Sequence, residues 1–245
     1  MMFTKVFAHR GASGHAPENT MPAFQLAYQM GADGIETDVH LTKDKIPVLF
    51  HDEQVKRTTN GRGFIKDLTV KQLKTLDAGS WFSTRFSGTT ITTLEEFLSW
   101  VKNKPLRINI ELKNNKIDYQ HLESKVYEMV EAFQLQERTL YSTFNPNSLK
   151  RLKKWHPKSK RAFLTSKRSK HLIKFAKELD VHGLHVKYQL LTRQLVQRAH
   201  QKDLAVRVYT VNRTNRIVNC LRYKCNGLFT DFPDLALKIQ QTYGE

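Results

Sequence analysis

Cysteine is almost missing from this chain: 245 residues carry 2, Cys220 and Cys225, at no zinc-site or redox spacing. That argues against a disulfide framework and for two small buried thiols in a reducing compartment. Long apolar runs are missing too, since none reaches the roughly 18 residues of a membrane-spanning helix. The first six residues lead straight into a predicted strand, without the apolar core and small-residue cleavage site of a secretory leader. A cytoplasmic location is the expectation. With 7 prolines and 11 glycines against 40% hydrophobic residues, the composition is that of a folded chain, long enough to bury a substantial core. No helix-turn-helix, zinc-finger or RNA-binding signature occurs, and no calcium loop of the EF-hand type.

Acidic residues are scarce: 23 Asp and Glu stand against 40 Lys and Arg, a net charge of +17. Residues 138–177 hold 13 Lys or Arg and no acid. A tract of that kind suits a solvated face, small anions, nucleic acid or weak association with an anionic membrane surface. Its few aromatics (Tyr141, Phe144, Trp155, Phe163) follow strand or helix spacing and form no base-stacking platform, so no nucleic acid partner is expected.

What the chain does have is alternation. Strand-like runs fall at 5–8, 34–39, 46–50, 107–112, 139–142, 161–164, 183–186, 205–211 and 227–229. Helical patterns fall at 21–30, 94–101, 119–133, 146–155, 170–179, 192–201 and 213–223. Thr93 with Glu96 forms a capping-box pattern, and Asn145 precedes Pro146 at a first helical position. Repeated strand–helix units at this length predict an α/β fold, a (β/α)8 TIM barrel of about 250 residues. The run at 46–50 is the ninth strand, and residues 41–45 are too few for a crossover helix. It is therefore read as the return arm of a hairpin. Residues 53–92, polar and turn-rich with one short helix at 70–76, are read as a small inserted capping subdomain within a single domain over 1–245.

Four of the early strands end in chemistry. Val6-Phe7-Ala8 runs into His9-Arg10-Gly11. Glu36, Asp38 and His40 alternate along one strand face. Phe50 precedes His51-Asp52. Asn109, Glu111 and Lys113 share a side of the run 107–112. A solvated antiparallel strand would explain the last of these alone, but not all four together. In a barrel these strand ends meet at one mouth. Three clustered carboxylates need neutralising, and all-oxygen ligation favours Mg2+ or Ca2+ over zinc. Two histidines beside a held anion suit general acid–base work, because imidazole both takes and gives protons near neutrality. Phosphodiester cleavage uses these parts, with Arg10 and Lys113 offsetting phosphoryl charge. Lys167, Arg168 and Lys170, after the run 161–164, are expected on the same barrel face.

The order and spacing of these pieces resemble the glycerophosphodiester phosphodiesterase family over nearly the whole chain. The matching pieces are His9-Arg10-Gly11 with Pro17-Glu18-Asn19-Thr20, Glu36-x-Asp38 to Asp44, Pro47-Val48 to His51-Asp52, and Glu111-Leu112-Lys113. Later echoes are Ser142-x-Phe144, Leu190-Leu191-Thr192, Val208-Tyr209-Thr210-Val211-Asn212 and Gly227 to Asp234. The resemblance implies the barrel, the capping insertion and hydrolysis of a small-molecule glycerophosphodiester to sn-glycerol 3-phosphate and an alcohol. It implies Glu36, Asp38 and Glu111 as ligands of one divalent cation, Mg2+ or Ca2+. His9 and His51 become the acid–base pair, Arg10 and Lys113 the phosphate contacts, and Phe144 and Tyr209 the substrate pocket. Tyr209 stands where relatives often carry tryptophan. Oligomeric state and the passage through a cyclic phosphate are left open. Two other readings remain at this point: a phospholipase D-like hydrolase of lysophospholipids, and a non-catalytic barrel binding anionic membranes or nucleic acid.

Overall fold

The computed structural model describes residues 4–244. In chain order its main elements are β1 (Lys5–His9), α1 (Met21–Gln29), β2 (Gly34–Leu41), β3 (Pro47–Leu49), α2 (Val70–Leu73), α3 (Leu94–Val101), β4 (Arg107–Leu112), α4 (Leu122–Ala132) and β5 (Thr139–Thr143). There follow α5 (Pro146–Trp155), β6 (Lys160–Thr165), α6 (Leu172–Glu178), β7 (Gly183–Lys187), α7 (Arg193–His200), β8 (Ala205–Tyr209), α8 (Thr214–Arg222), β9 (Gly227–Thr230) and α9 (Pro233–Gly244).

The strand order β1-β9-β8-β7-β6-β5-β4-β2 closes through a parallel β1–β2 pairing, giving an eight-stranded parallel (β/α)8 barrel. β3 stands outside it, antiparallel to β2 with Val39 opposite Leu49, as the short 41–45 link required. The alternation in β4 has a specific cause. Ile108, Ile110 and Leu112 point outward and pack with Phe97, Leu98, Val126 and Val130 from the helices. Asn109 and Glu111 point inward, and both are buried. The strand is covered on both faces, so its polar side meets the barrel interior instead of water. On the other half of the barrel Leu184, Val186, Val206, Val208 and Leu228 pack on Leu172, Val196, Ile217 and Ala236. Truncating one such residue, as in Ile110→Ala, costs about 2–5 kcal/mol.

Helix starts follow the local chemistry. Thr93 and Glu96 close a reciprocal capping box on α3, and Asn145 accepts from the Asn147 N–H with Pro146 at the first position of α5. The expected start of α4 at 119 moves to Leu122, because His121 takes a left-handed φ of 63° just ahead of it. The helix at 70–76 is a single turn, α2. α9 is absent from the periodicity reading; its signal was Pro233 followed by Asp234, a helix-start pair.

Within residues 53–92, Val55, Ile65, Leu73, Ala78 and Ile91 gather on Val48 and Phe50 of the β3 region in a small core of their own. Asp77 ties this segment together by accepting from the N–H groups of Gly79, Ser80 and Gly88 at 2.7, 2.8 and 2.9 Å. Cys220 and Cys225 are free and buried. Among the described residues no helix is long and apolar enough to cross a membrane.

Candidate active site

Strand register assembles the site. His9 lies opposite Glu36 across β1–β2, and Asp38 opposite Glu111 across β2–β4. Side chains two apart along a strand share a face. The C-terminal ends of three neighbouring strands therefore deliver His9, Glu36, Asp38 and Glu111 to one place. Carboxylate oxygens of Glu36, Asp38 and Glu111 all lie within 4.8 Å of one another.

That cluster is under electrostatic tension. Burial and the neighbouring Asp38 and Glu111 push the Glu36 carboxyl well above the usual carboxylate range. Burial also opposes ionisation of Asp38, but Lys113, Arg10 and His51 outweigh it and hold Asp38 low. Lys113 Nζ sits 3.0 Å from Glu111 Oε1 and 3.4 Å from Asp38 Oδ1. A carboxylate whose ionisation its neighbours resist is what a bound dication would relieve, and the donors are all hard oxygens. The residues present therefore fit a hard divalent ion.

The turn after β1 is held by backbone geometry. Gly11 has φ +82°, and a Cβ there would fall 2.7 Å from Ala23, so only glycine fits against α1. Arg10, at φ 59°, donates its N–H to Glu36 Oε2 at 3.0 Å. Its guanidinium bonds Glu18 Oε1 at 2.9 Å, with Nε 3.3 Å from Asp38. Asn19 donates to Asp38 Oδ2 at 2.9 Å, fixing that carboxylate from behind.

Each histidine is oriented by a carboxylate. His9 Nδ1 lies 2.7 Å from Asp231 Oδ1 just past β9, and His51 Nδ1 lies 2.6 Å from Asp52 Oδ1. Carboxylates only accept, so each ring carries its proton on Nδ1 and leaves Nε2 for chemistry. Asp231 is brought down to about 2, because bonds from His9, Asn212 and Ser13 outweigh the effect of burial. Burial opposes ionisation of Asp52 as well, but Arg57 and His51 together outweigh it and bring the group down to about 2. Arg57 bridges Asp52 and Glu18 at 2.6 and 2.7 Å, so residues 53–92 touch the site through this cation. His40 is a structural neighbour: buried, it bonds the His51 carbonyl at 3.1 Å and Tyr119 Oη at 3.0 Å. Burial brings it down to about 4.

A cavity of about 330 Å³ opens here, lined by His9, Arg10, His51, Glu111, Lys113, Phe144 and Tyr209. Phe144 and Tyr209 meet edge to face with ring centroids 6.1 Å apart. Every candidate site residue from the sequence is thus at the mouth or directly beneath it, with Glu36 and Asp38 below the surface. Glu18, Asn19, Asp52 and Asp231 stood within the matching pieces of sequence but had no role assigned to them, and Arg57 was not singled out. Asp52 is adjacent to His51, but Asp231 is 222 positions from His9, and only barrel closure joins them. Lys167, Arg168 and Lys170 follow β6 on the same face, yet they line a separate cavity of about 250 Å³ with Leu190 and Arg198. Phe64, Trp81, Phe82 and Phe86 are not in the wall of the cavity at the histidines. Phe82 meets Trp81 and Phe86 edge to face, at centroid distances of 5.6 and 5.8 Å.

The model of the glycerophosphoryl diester phosphodiesterase family matches residues 9–235. A glycerophosphodiester phosphodiesterase of Bacillus altitudinis is 42% identical over 241 residues, covering 97% of this chain and 98% of its own. One from Caldanaerobacter subterraneus subsp. tengcongensis is 36% identical over 243 residues, covering 99% of this chain and 100% of its own. Among solved structures, a phosphodiesterase of Oleispira antarctica in complex with the product sn-glycerol-3-phosphate superposes with a TM-score of 0.87. It is 31% identical, with 99% of this chain and 98% of that one covered. From site geometry, family model and relatives together, the chain belongs to the glycerophosphoryl diester phosphodiesterase family.

Proposed function

We propose that the protein hydrolyses glycerophosphodiesters to sn-glycerol 3-phosphate and an alcohol, with His9 and His51 as the acid–base pair. The observation that carries this reading is the pairing of each imidazole with its own carboxylate beside a three-carboxylate cluster. One ring, through its free Nε2, takes the proton of the nucleophile, which is either water or the substrate's own glycerol 2-hydroxyl; in the second case a water then opens the cyclic phosphate to glycerol 3-phosphate. The other gives a proton to the departing alkoxide. Asp231 and Asp52 hold the rings in register and stabilise each imidazolium as it forms.

Glu36, Asp38 and Glu111 would hold Mg2+ or Ca2+, which supplies positive charge at the phosphoryl oxygens when bound. Arg10 and Lys113, cations at the edge of the same cluster, offset the charge that builds on the phosphate in the transition state. Phe144 and Tyr209 form an apolar wall against the glycerol carbons, and the alcohol arm extends along the side lined by Lys187, Tyr188 and Gln189. Residues 53–92 act as a cap beside the mouth and brace His51 through Arg57.

The test is release of glycerol 3-phosphate from a panel of glycerophosphodiesters, with Mg2+, Ca2+ or chelator. Metal-dependent turnover is expected, with His9→Ala and His51→Ala each slower by about 10²–10⁴-fold. Full activity in chelator, or in both variants, would overturn the reading. Faster turnover of lysophosphatidylcholine than of glycerophosphocholine would move the substrate to lysophospholipids.

A further inference from the structure

At the far end of the barrel from His9 and His51, the strand starts surround a cavity of about 160 Å³. Arg207 of β8 lines it together with Arg107, Lys160, His182 and Phe7. Arg207 enters the barrel on the same strand face as Tyr209, two residues nearer the start of β8. Its Nε is sealed from solvent and has no hydrogen-bond partner. Its guanidinium carbon lies 6.0 Å from the centroid of the Phe7 ring. Among the described residues no carboxylate pairs with it. Burial, and then the neighbouring Arg107, bring its guanidinium down to about 10.

The other charges around the cavity leave this cation uncompensated. Arg138 is committed to the carbonyls of Val101, Lys102, Lys104 and Leu106 at the end of α3. Glu137 is the one acid in the wall; Lys160 holds its carboxylate at 3.1 Å, and that side chain is 92% exposed. Nδ1 of His182 accepts from the Arg161 N–H at 3.1 Å, so the neutral ring carries its proton on Nε2 as a free donor. Gly34 leaves space for the Phe7 ring of the cavity wall, since a Cβ there would sit 2.6 Å from it.

A part-buried guanidinium whose Nε is shut off from water, beside a second cation, is held at a cost that a counter-charge reaching it would offset. We propose that this cavity is a second anion site, distinct from the catalytic one, and that it takes a phosphate-class dianion as counter-ion of Arg207 and Arg107. The forked guanidinium donors match oxyanions through parallel charge-assisted bonds. The cavity holds several times the about 30 Å³ share of one water, which is room for a tetrahedral oxyanion. Orthophosphate and a small phosphate monoester such as glycerol 3-phosphate present the same group. The inference stands independently of the catalytic reading.

The experiment is thermal unfolding of the full chain at constant ionic strength, against rising orthophosphate, glycerol 3-phosphate or chloride. A Lys113→Met background removes one of the two phosphate-contacting cations of the catalytic mouth; Arg10 remains, so the rise that counts is the part that depends on Arg207. Orthophosphate or glycerol 3-phosphate is expected to raise the Tm in that background, chloride far less, and the stronger of the two names the source. Arg207→Met is expected to abolish the rise and to be more stable than its parent in phosphate-free buffer. Arg107→Gln, at an exposed position, is expected to weaken binding roughly tenfold, as for one lost charge-assisted bond. An equal rise in the Arg207→Met protein, an equal effect of chloride, or a lower Tm for Arg207→Met without phosphate would each overturn the proposal.

Discussion

Asp231 Oδ1 stands 2.7 Å from His9 Nδ1, joining the end of the last barrel strand to the end of the first. Asp231 also accepts from Ser13 Oγ at 3.0 Å and from Asn212, so its position is fixed from three sides. The pair exists only because β9 and β1 are neighbours in a closed sheet. On the proposed mechanism, closure of the fold is thereby a requirement of the chemistry.

Asp231→Asn tests that dependence. The amide keeps the shape of the carboxylate but withdraws the charge that stabilises an imidazolium and fixes the proton on Nδ1. The expected outcome is a fall in kcat of about 10²-fold or more, with KM little changed, since Asp231 lies behind the ring. Asp52→Asn acts the same way on His51. Steady-state kinetics with glycerophosphocholine check both, and unchanged kcat in either would remove that aspartate from the mechanism.

Glu36 is the place to test the metal. Asp38 and Glu111 both oppose its ionisation, and Glu36→Gln removes one proposed negative ligand while keeping its bulk. Calorimetric titration with Mg2+ and Ca2+ is expected to show binding in the wild type and at least tenfold weaker binding in the variant, with the fold intact by circular dichroism. Equal affinity in the two proteins would place the ion elsewhere.

Much of this site was legible from the chain because its signals are local. His9 ends β1, Glu111 is next to the end of β4, His51 falls just past β3, and Glu36 and Asp38 lie within β2 beside the ends of β1 and β4, so parallel pairing brings them to one face. What was not legible depends on pairings between distant strands. Nothing near His9 announces Asp231, and nothing near Asp38 announces that Asn19 holds it. The Asn109 face of β4 reads equally well as solvated or as barrel interior until its neighbours are known. The basic tract was misleading in part. Arg138 and Arg161 serve backbone carbonyls and Arg151 serves Glu123, so some of that charge is internal scaffolding.

Acid sensitivity is expected to run through His40. Its folded value is down to about 4 from an ordinary value near 6.5. Between these limits the unfolded chain binds the proton and the folded one does not, so stability falls as pH drops through that window. Protonation would also break its acceptance from Tyr119, loosening the support of the His51 backbone. His185, buried with a lowered value, has the same sign, so the measurement is a difference. Urea unfolding from pH 7 to 4 is expected to show a shallower loss for His40→Gln than for wild type. Parallel curves would rule out the assignment.

The role of residues 53–92 can be tested at Arg57 more cleanly than by deletion. Removing the segment would bare Val48 and Phe50, which it covers, so a deleted chain would confuse folding with function. Arg57 instead lies in the open, 44% exposed, and reaches both Asp52 and Glu18. Arg57→Met removes the bridge while leaving the small core alone, and an exposed ion pair contributes only about 0–1 kcal/mol to stability. Loss of Arg57 frees Asp52, and with it the orientation of His51. The expected outcome is a Tm within a few degrees of wild type and a kcat lower by about tenfold, partly restored by Arg57→Lys. A drop in Tm with kcat unchanged would make the segment a scaffold only. Unchanged values of both would show that Asp52 holds His51 without help.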